Sequence, residues 1–274
     1  METKHDRLPV RHVAILTEYD GSKFNGWQAQ ALGRTVQQTL VKALEQLTGQ
    51  NDIALYGSSR TDAGVHARGH VSHFSARTRI PAEKLPLAMN SLLPPDVAVL
   101  AAADVSEDFH AQYHAKGKSY SYRIWNHASR PAIDRYRVCH VPVKLDIEKI
   151  RQAIPLLVGR RDFSAFVDGG SCHRNPVRTL SDVTLDADGP RLTFKFQGDG
   201  FLYHMIRILT GTLVAIGQNK LSGQDLPVII AAGDRARSGK TMPPQGLCLE
   251  RVYYDPPLFD DFFFQIYSNR SERK

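Results

Sequence analysis

One loop of the sequence carries most of its potential for chemistry. It runs from Ser58 to Ala67 and places the carboxylate of Asp62 two positions after the guanidinium of Arg60, with a glycine at Gly64. Small residues such as these let another backbone approach closely, which favours a functional loop. An aspartate near a glycine is also a common turn former, so the residues alone leave Asp62 with either a catalytic or a structural role.

Three histidines, His66, His70 and His73, end or follow this loop, and their spacing raises the question of a metal site. On a helix they would share one face, as zinc-binding histidines do. Val71 and Phe74 favour a strand instead, and in a strand His70 and His73 point to opposite faces. The stretch also offers no glutamate that could serve a zinc hydrolase as its base. We therefore expect no metal site here.

Cations and aromatic side chains alternate between residues 109 and 123. The segment contains Phe109, His110, Ala111, Gln112 and Tyr113, followed by Lys116, Lys118, Tyr120, Tyr122 and Arg123. Aromatic rings can stack on splayed-out bases while cations neutralise phosphates, and a protein that holds RNA needs both. A half-buried amphipathic strand with snorkelling lysines gives the same pattern, so both interpretations stay open.

The segment from Phe201 to Ile216 is almost wholly apolar and predicts a buried helix. His204, Arg207 and Gly211 fall in one narrow sector of that helix. An unpaired charge on a buried helix is costly, so Arg207 requires an anionic partner. That partner could be a structural carboxylate, or a catalytic carboxylate whose pKa the arginine lowers.

The composition narrows the class of protein. Among 274 residues, 35 lysines and arginines outnumber 28 aspartates and glutamates, and the net charge of +7 favours a polyanionic partner, nucleic acid first. No apolar run is long enough to span a bilayer, and the charged N-terminus leads into no signal-like segment. Cys139, Cys172 and Cys248 show no paired spacing. We therefore expect neither a membrane protein nor a disulfide framework, and a cytoplasmic location.

Periodicity and turn residues predict the elements that position these side chains. In the first half we predict strands at 12–19, 53–56, 71–74 and 97–105, a helix capped by Thr35 and ended by Gly49, and a helix at 81–92 kinked at Pro86. Residues 57–69 are predicted to form the long loop that contains Asp62.

In the second half we predict strands at 118–126 and 247–254, a hairpin of 177–185 and 191–196, and helices from Asp146 to Gly159, at 201–216 and at 225–233. This order of elements fits two successive α+β halves better than regular βαβ repetition. We place these halves at residues 1–113 and 114–274.

Taken together, the motifs resemble the TruA family of pseudouridine synthases over nearly the whole chain. The matching motifs are Glu18-Tyr19-Asp20-Gly21, Gly26-Trp27-Gln28, Thr35-Val36-Gln37, Arg60-Thr61-Asp62-Ala63-Gly64-Val65-His66-Ala67, Asp108-Phe109-His110-Ala111, Tyr120-Ser121-Tyr122 and His204-Met205-Ile206-Arg207. Each motif is weak alone, but their order and spacing are highly specific. The chain departs from the family at Ser59, where the family usually has glycine.

The resemblance implies isomerisation of uridine to pseudouridine in the anticodon stem-loop of tRNA, at positions 38, 39 and 40. It implies a homodimer that holds tRNA, and neither a cofactor nor a metal. The implied fold class is α+β, with two related α+β halves forming a large mixed, mainly antiparallel sheet, helices packed on it and a basic central cleft. Residues 1–113 would carry the catalytic aspartate loop, and residues 114–274 would complete the cleft.

The resemblance also implies roles for individual residues. Asp62 matches the essential aspartate, and Arg207 matches its basic partner. Tyr120 matches the tyrosine that packs on the target base, and Arg60 the arginine implicated in extruding that base. Two segments match tRNA-contacting regions, namely Phe109, His110, Ala111, Gln112 and Tyr113, and Gly170, Ser171, Cys172, His173 and Arg174.

Two other functions compete with the isomerase. One is a basic RNA-binding protein without catalysis, in which Asp62 is only a turn residue. The other is a metal-dependent nuclease that uses Asp20, Asp62 and the histidines. For the isomerase, the sequence leaves open whether the aspartate attacks C1′, attacks C6 or assists formation of a glycal.

Overall fold

The structure is a computed structural model that describes residues 8–169 and 175–260. The described chain forms two compact units. The first unit consists of residues 8–116 and 249–260, and the second of residues 117–169 and 175–248. Asp62 lies in the first unit, whereas Tyr120 and Arg207 lie in the second. The predicted functional division at residue 113 stays a prediction.

The described residues form ten strands and five α-helices. In chain order these are β1 (Val10–Tyr19), α1 (Val36–Thr48), β2 (Leu55–Gly57), β3 (His66–Arg77), α2 (Leu85–Asn90), β4 (Val97–Asp104), β5 (Gly117–Trp125), β6 (Cys139–His140), α3 (Ile147–Ala153), β7 (Gly159–Asp162), β8 (Val177–Asp188), β9 (Arg191–Gly198), α4 (Met205–Gly217), α5 (Asp225–Ala232) and β10 (Leu247–Tyr253).

The first unit is built around β1. Its strands lie in the order β4-β1-β3-β10, with β2 paired to β3. Strand β1 runs antiparallel to both β3 and β4. Val13, Ile15 and Leu16 on β1 are fully buried, and removing these apolar side chains from water is the main driving force for forming the core.

Helix α1 begins and ends where local signals predict. Oγ1 of Thr35 accepts a hydrogen bond from N of Gln38 at the N-terminus, and Gly49 adopts a φ of +69° at the C-terminus. Leu40 and Leu44 recur at helical spacing and are buried. One face of α1 therefore packs into the unit, and the opposite face stays available to solvent.

The second unit is built around the β8–β9 hairpin. Its strands lie in the order β5-β9-β8-β7 with antiparallel neighbours, and the short β6 pairs parallel with β5. Gly189, with a φ of +54°, closes the hairpin. Phe194 and Phe196 on β9 are fully buried and lie opposite Tyr122 and Tyr120 on β5. Both tyrosines are thereby packed against the core of this unit.

The predicted fold class, α+β with a mainly antiparallel sheet, is confirmed. Among the helices of the described residues, none has both the length and the apolar character needed to cross a membrane.

Several predicted boundaries are wrong in the first unit. The loop predicted at 57–69 is shorter, because β3 begins at His66 and its residue Ala67 pairs with Tyr19 on β1. Pairing with a strand distant in sequence outweighs the low strand propensity of Gly69. The helix predicted at 81–92 is reduced to α2, and Pro86 lies in its first turn instead of kinking it.

Two predicted helices of the second unit also change. The helix predicted from Phe201 begins only at Met205, because His204 adopts a left-handed backbone with a φ of +60°. His204 therefore does not share a helical sector with Arg207. The helix predicted from Asp146 continues beyond α3 only as a 3₁₀ turn, since Pro155 offers no N–H to an α-helical ladder.

Candidate active site

The loop between β2 and β3 carries Asp62, and the segment after β1 holds this loop through its backbone. N of Trp27 donates to the carbonyl oxygen of Thr61 (3.0 Å), and N of Gly64 donates to the carbonyl oxygen of Phe24 (3.2 Å). The backbone is thus bonded on both sides of Asp62, which fixes where its side chain starts.

Two glycines make this close approach possible. Gly26 has a φ of +89°, and a Cβ there would lie 2.6 Å from the carbonyl oxygen of Thr61. A Cβ at Gly21 would lie 2.0 Å from the carbonyl oxygen of Val65. Both distances are too short for a carbon–oxygen contact, so the two backbones meet only because both residues lack a side chain.

Buried side chains fix the same loop. The hydroxyls of Tyr19 and Thr61 form a hydrogen bond of 2.9 Å. The ring of His70 stacks on Trp27 with centroids 3.7 Å apart, and its Nε2 lies 3.0 Å from the carbonyl oxygen of Ser59. A carbonyl only accepts, so Nε2 carries a proton and donates it. These contacts hold the loop on two sides.

The histidines considered as metal ligands make separate contacts. Nδ1 of His66 accepts a hydrogen bond from N of Gly21 (3.1 Å) and lies 3.3 Å from Oδ1 of Asp20. His70 and His73 occupy opposite faces of β3, as predicted. Across residues 8–169 and 175–260, no group of three or more histidines, cysteines, aspartates or glutamates could hold a metal ion.

Asp62 itself is partly exposed, between the buried Thr61 and the exposed Ala63. A catalytic side chain must be held in place and must also be reachable by the substrate. The fixed backbone and partial exposure of Asp62 are consistent with both requirements. Ser59, where the family usually has glycine, has no left-handed backbone. The loop therefore does not need a glycine at that position.

Arg60 is exposed and lines a groove of about 790 Å³ together with His110, Gln112 and Tyr113. The structure thus brings Arg60 together with part of the predicted RNA-contacting segment, within the first unit.

Phe109 and Ala111, the other members of that segment, anchor it. Phe109 is half-buried and meets the rings of His73 and Tyr254 at 5.7 and 5.6 Å. Ala111 is fully buried, its N donates to Nδ1 of His73 (3.2 Å), and its carbonyl accepts from the hydroxyl of Tyr254 (2.6 Å). Their role is to hold His110, Gln112 and Tyr113 at the groove.

Tyr120 lies on β5 in the second unit and is only 7% exposed. Its ring meets Phe201 edge-on, with centroids 5.1 Å apart. Lys118 lies two residues earlier on the same face of the strand. Burial, and secondly the positive charge of Arg178, lower the pKa of Lys118 to about 8. This face therefore holds a lysine that can change protonation state near neutral pH.

Arg207 lies in the first turn of α4 and is bound to Met242 twice. Nε of Arg207 donates to the carbonyl oxygen of Met242 (2.6 Å), and N of Met242 donates to the carbonyl oxygen of Arg207 (3.2 Å). The next residue, Pro243, accepts a hydrogen bond from the hydroxyl of Tyr122 (2.6 Å). Burial raises the pKa of Tyr122, so this hydroxyl stays protonated and keeps donating.

Asp168 joins three parts of the second unit. Its Oδ2 accepts from Nδ1 of His204 (2.7 Å) and from the hydroxyl of Thr241 (2.6 Å), and its Oδ1 accepts from Nε of Arg235 (2.8 Å). Burial raises the pKa of Asp168, but these hydrogen bonds and the charge of Arg235 outweigh it and lower the pKa to about 2. Asp168 therefore holds the start of α4 next to the segment that binds Arg207.

The sequence did not predict the roles of Asp168, Arg235 and Thr241. They share no motif, and Asp168 and Thr241 are 73 residues apart in the chain. The sequence signal that could have pointed to this network was His204. It is a polar residue in a conspicuous motif, and its ring requires a hydrogen-bonding partner. The predicted contacts Gly170, Ser171, Cys172, His173 and Arg174 lie outside the described residues.

A sequence model of the family described as tRNA pseudouridine synthase matches residues 15–114 and 153–255, which make up most of the chain. The match includes the Asp62 loop, both anchoring glycines and the Asp168–His204–Arg207 region. The chain belongs to the tRNA pseudouridine synthase family, whose activity is an isomerisation, and the predicted family is confirmed.

Its relatives are named tRNA pseudouridine synthase A. The chain is 46% identical over 242 residues to the protein from Moorella thermoacetica, covering 88% of this chain and 98% of that one. It is 43% identical over 245 residues to the protein from Acetivibrio thermocellus, covering 89% and 100%. A protein from Clostridium perfringens, named tRNA pseudouridine synthase A 2, is 39% identical over 245 residues, with the same coverage.

The glycine contact predicts a stability effect. Gly26→Ala should lower the free energy of unfolding by about 2–4 kcal/mol, because it adds backbone strain and a clash with the carbonyl of Thr61. Gly189→Ala is the control, since its φ is also positive but a Cβ there meets nothing within 4 Å. It should cost only about 1 kcal/mol. Urea unfolding measures both variants, and equal losses would contradict the close approach.

The Asp168 network predicts a pH dependence. Asp168→Asn should lower the free energy of unfolding at pH 7 by about 1–3 kcal/mol, since a charged acceptor of three donors is lost. Because the folded pKa of about 2 lies below the ordinary 3.8, the ionised form stabilises the fold above about pH 4, and this contribution disappears as the pH falls toward 2.

Urea unfolding of wild type and Asp168→Asn should therefore converge as the pH is lowered from about 4 toward 2. The exposed Asp182→Asn makes the same charge change outside the network and serves as its control. A stability difference that stays constant over this pH range would show that the carboxylate charge of Asp168 does not hold the network.

Proposed function

We propose that this chain isomerises uridine to pseudouridine in the anticodon stem-loop of tRNA, at positions 38, 39 and 40, with Asp62 as the essential aspartate. Membership of the family supports the reaction. The observation that carries the assignment of Asp62 is the loop itself, whose backbone is fixed by Gly26 and Trp27 while its carboxylate stays partly exposed.

The substrate uridine must leave its stack before a side chain can reach it, which costs roughly a few kcal/mol. Arg60 is exposed two residues before Asp62 and is proposed to occupy the vacated space. The C1′–N1 bond then breaks, the uracil turns while it is held, and C5 bonds to C1′. C5 loses its proton and N1 gains one, so the reaction is redox-neutral and transfers no external group.

Asp62 acts in its ionised form, by attack on C1′, by attack on C6 or by assisting elimination to a glycal. Each route starts from a carboxylate held near the sugar and the base edge, and effective positioning of this kind accounts for much of enzymatic rate enhancement.

We propose that Tyr120 packs on the target base and that Arg207 is the basic partner of Asp62. The ring of Tyr120 is held edge-on by Phe201, which fixes the plane it presents. The guanidinium of Arg207 is oriented by the carbonyl of Met242, which accepts a hydrogen bond from its Nε.

The proposed partners are tRNA and a second copy of the chain, and the proposed compartment is the cytoplasm. A net charge of +7 supports binding of a polyanion. Cys139 is a buried free thiol, which suits a reducing compartment.

Asp62→Asn should abolish isomerisation while leaving tRNA bound. We expect tritium release from tRNA labelled at uracil C5 to fall at least about 1000-fold, because the amide is neither a nucleophile nor a base. The tRNA affinity should stay within about threefold of wild type. Rates are compared at matched tRNA occupancy, with and without a chelator.

Asp182→Asn is the matched control, because it removes the same charge from an exposed position on β8. Its tritium release should equal that of wild type. If folded wild type releases no tritium from competent tRNA, the chain is a basic RNA-binding protein and the catalytic assignment fails. If a chelator abolishes tritium release, the reaction requires a metal ion and the metal-independent role of Asp62 fails.

The Tyr120 assignment predicts a difference between two variants. Tyr120→Phe keeps the ring and should bind tRNA about as well as wild type, whereas Tyr120→Ala removes the stacking face and should weaken binding by about tenfold. Equilibrium binding to tRNA measures both. Equal losses in the two variants would assign the effect to the hydroxyl instead of the ring.

A further inference from the structure

Four aromatic rings form a cluster on the first unit, which we term the aromatic platform: Tyr56, His73, His110 and Tyr113. Tyr56 stacks on His73 (5.2 Å, 23°), His73 meets His110 edge-on (4.9 Å, 63°), and His110 stacks on Tyr113 (4.2 Å, 27°). The two tyrosines are 51% and 75% exposed. Two large aromatic rings of this cluster are therefore not covered by the unit's own core.

Both histidines of the platform are neutral. Nδ1 of His73 accepts from N of Ala111 (3.2 Å), and Nδ1 of His110 accepts from N of Gln112 (3.2 Å). A ring nitrogen that accepts a hydrogen bond carries no proton. Burial, and secondly the neighbouring His110, lower the pKa of His73 to about 4, and burial lowers that of His110 as well. At neutral pH the two histidine rings of the platform are thus uncharged.

Two cations line the groove beside this platform. Tyr56, His110 and Tyr113 line it together with Lys42 on the exposed face of α1 and with Arg60. Its volume of about 790 Å³ is in the range of sites that take small organic groups.

One carboxylate, that of Glu45, also lines the groove. Its Oε1 accepts from N of Asp52 (2.9 Å), which holds it against its own loop. The groove is therefore lined by two cations, Lys42 and Arg60, and by one carboxylate, so that positive charge exceeds negative charge along its lining.

We propose that this groove binds an unpaired nucleotide of the RNA substrate, with its base stacked on the aromatic platform and its phosphate near Lys42 and Arg60. Neutral stacked rings match the face of any base, and the two cations match a phosphate. The proposal rests on the proposed function and deepens it. An enzyme that extrudes one base must hold its unstacked neighbours, and this groove is a place to hold one.

The test uses Asp62→Asn as the background, so that tRNA stays unmodified during binding. In that background Tyr56→Leu and Tyr113→Leu remove a ring but keep an apolar side chain. Each should weaken tRNA binding by about tenfold in an equilibrium filter-binding assay. Tyr56→Phe keeps the ring and should bind like the background protein. Thermal unfolding of every variant checks that it is folded.

Tyr136→Leu is the matched control, because Tyr136 is also about half exposed (55%) but lies in the second unit. It should leave the affinity unchanged.

A salt series separates the contribution of the aromatic platform from that of the cations in the groove. Lys42→Gln should reduce the slope of log affinity against log salt by about one, and Tyr56→Leu should leave that slope unchanged.

Background-like affinity in folded Tyr56→Leu and Tyr113→Leu would overturn the proposal. If these variants instead shift the monomer–dimer equilibrium in sedimentation and leave the RNA affinity unchanged, the groove contacts a second copy of the chain and not RNA. That result also overturns the proposal.

Tritium release by wild type is measured separately. Its absence would remove the proposed function, whereas the ring-dependent affinity would still stand as RNA binding.

Discussion

The close approach of two backbone segments is the constraint on which the first unit's site depends. Gly21 and Gly26 let the chain after β1 lie against the loop that contains Asp62, at distances no side chain would allow. Because backbone groups make the contact, the loop is held in place without calling on the exposed side chain of Arg60. The charged side chains of the loop are therefore not needed to fix its backbone.

Strand β3 extends this principle, since each of its three histidines binds the backbone of a different loop. His66 binds Gly21, His70 binds the carbonyl of Ser59, and His73 binds N of Ala111. A neutral imidazole has one donor and one acceptor, so it can join a strand to a loop of either polarity. The spacing that suggested a metal site therefore serves to align three loops on one strand.

Local signals were sufficient for the elements whose ends are set by their own residues. Thr35 and Gly49 delimit α1, and Asp146 caps α3. Local signals were insufficient where a partner distant in sequence determines where a helix or strand begins. Strand β3 starts early because β1 pairs with it, and α4 starts late, after His204, whose side chain is bound by Asp168. Within the candidate site, motifs identified the side chains but not the contacts that orient them.

The second unit orients Arg207 through a series of hydrogen bonds that involve both side chains and backbone. Asp168 binds Thr241, the neighbouring Met242 binds Arg207 through two hydrogen bonds, and Pro243 accepts the hydroxyl of Tyr122. These contacts are short and partly or wholly buried, so salt screens them little. Attraction of RNA by the net charge of +7 is long-range and strongly screened. The geometry of the site and the capture of its substrate thus depend on separate physical interactions, and ionic strength can change the second without disturbing the first.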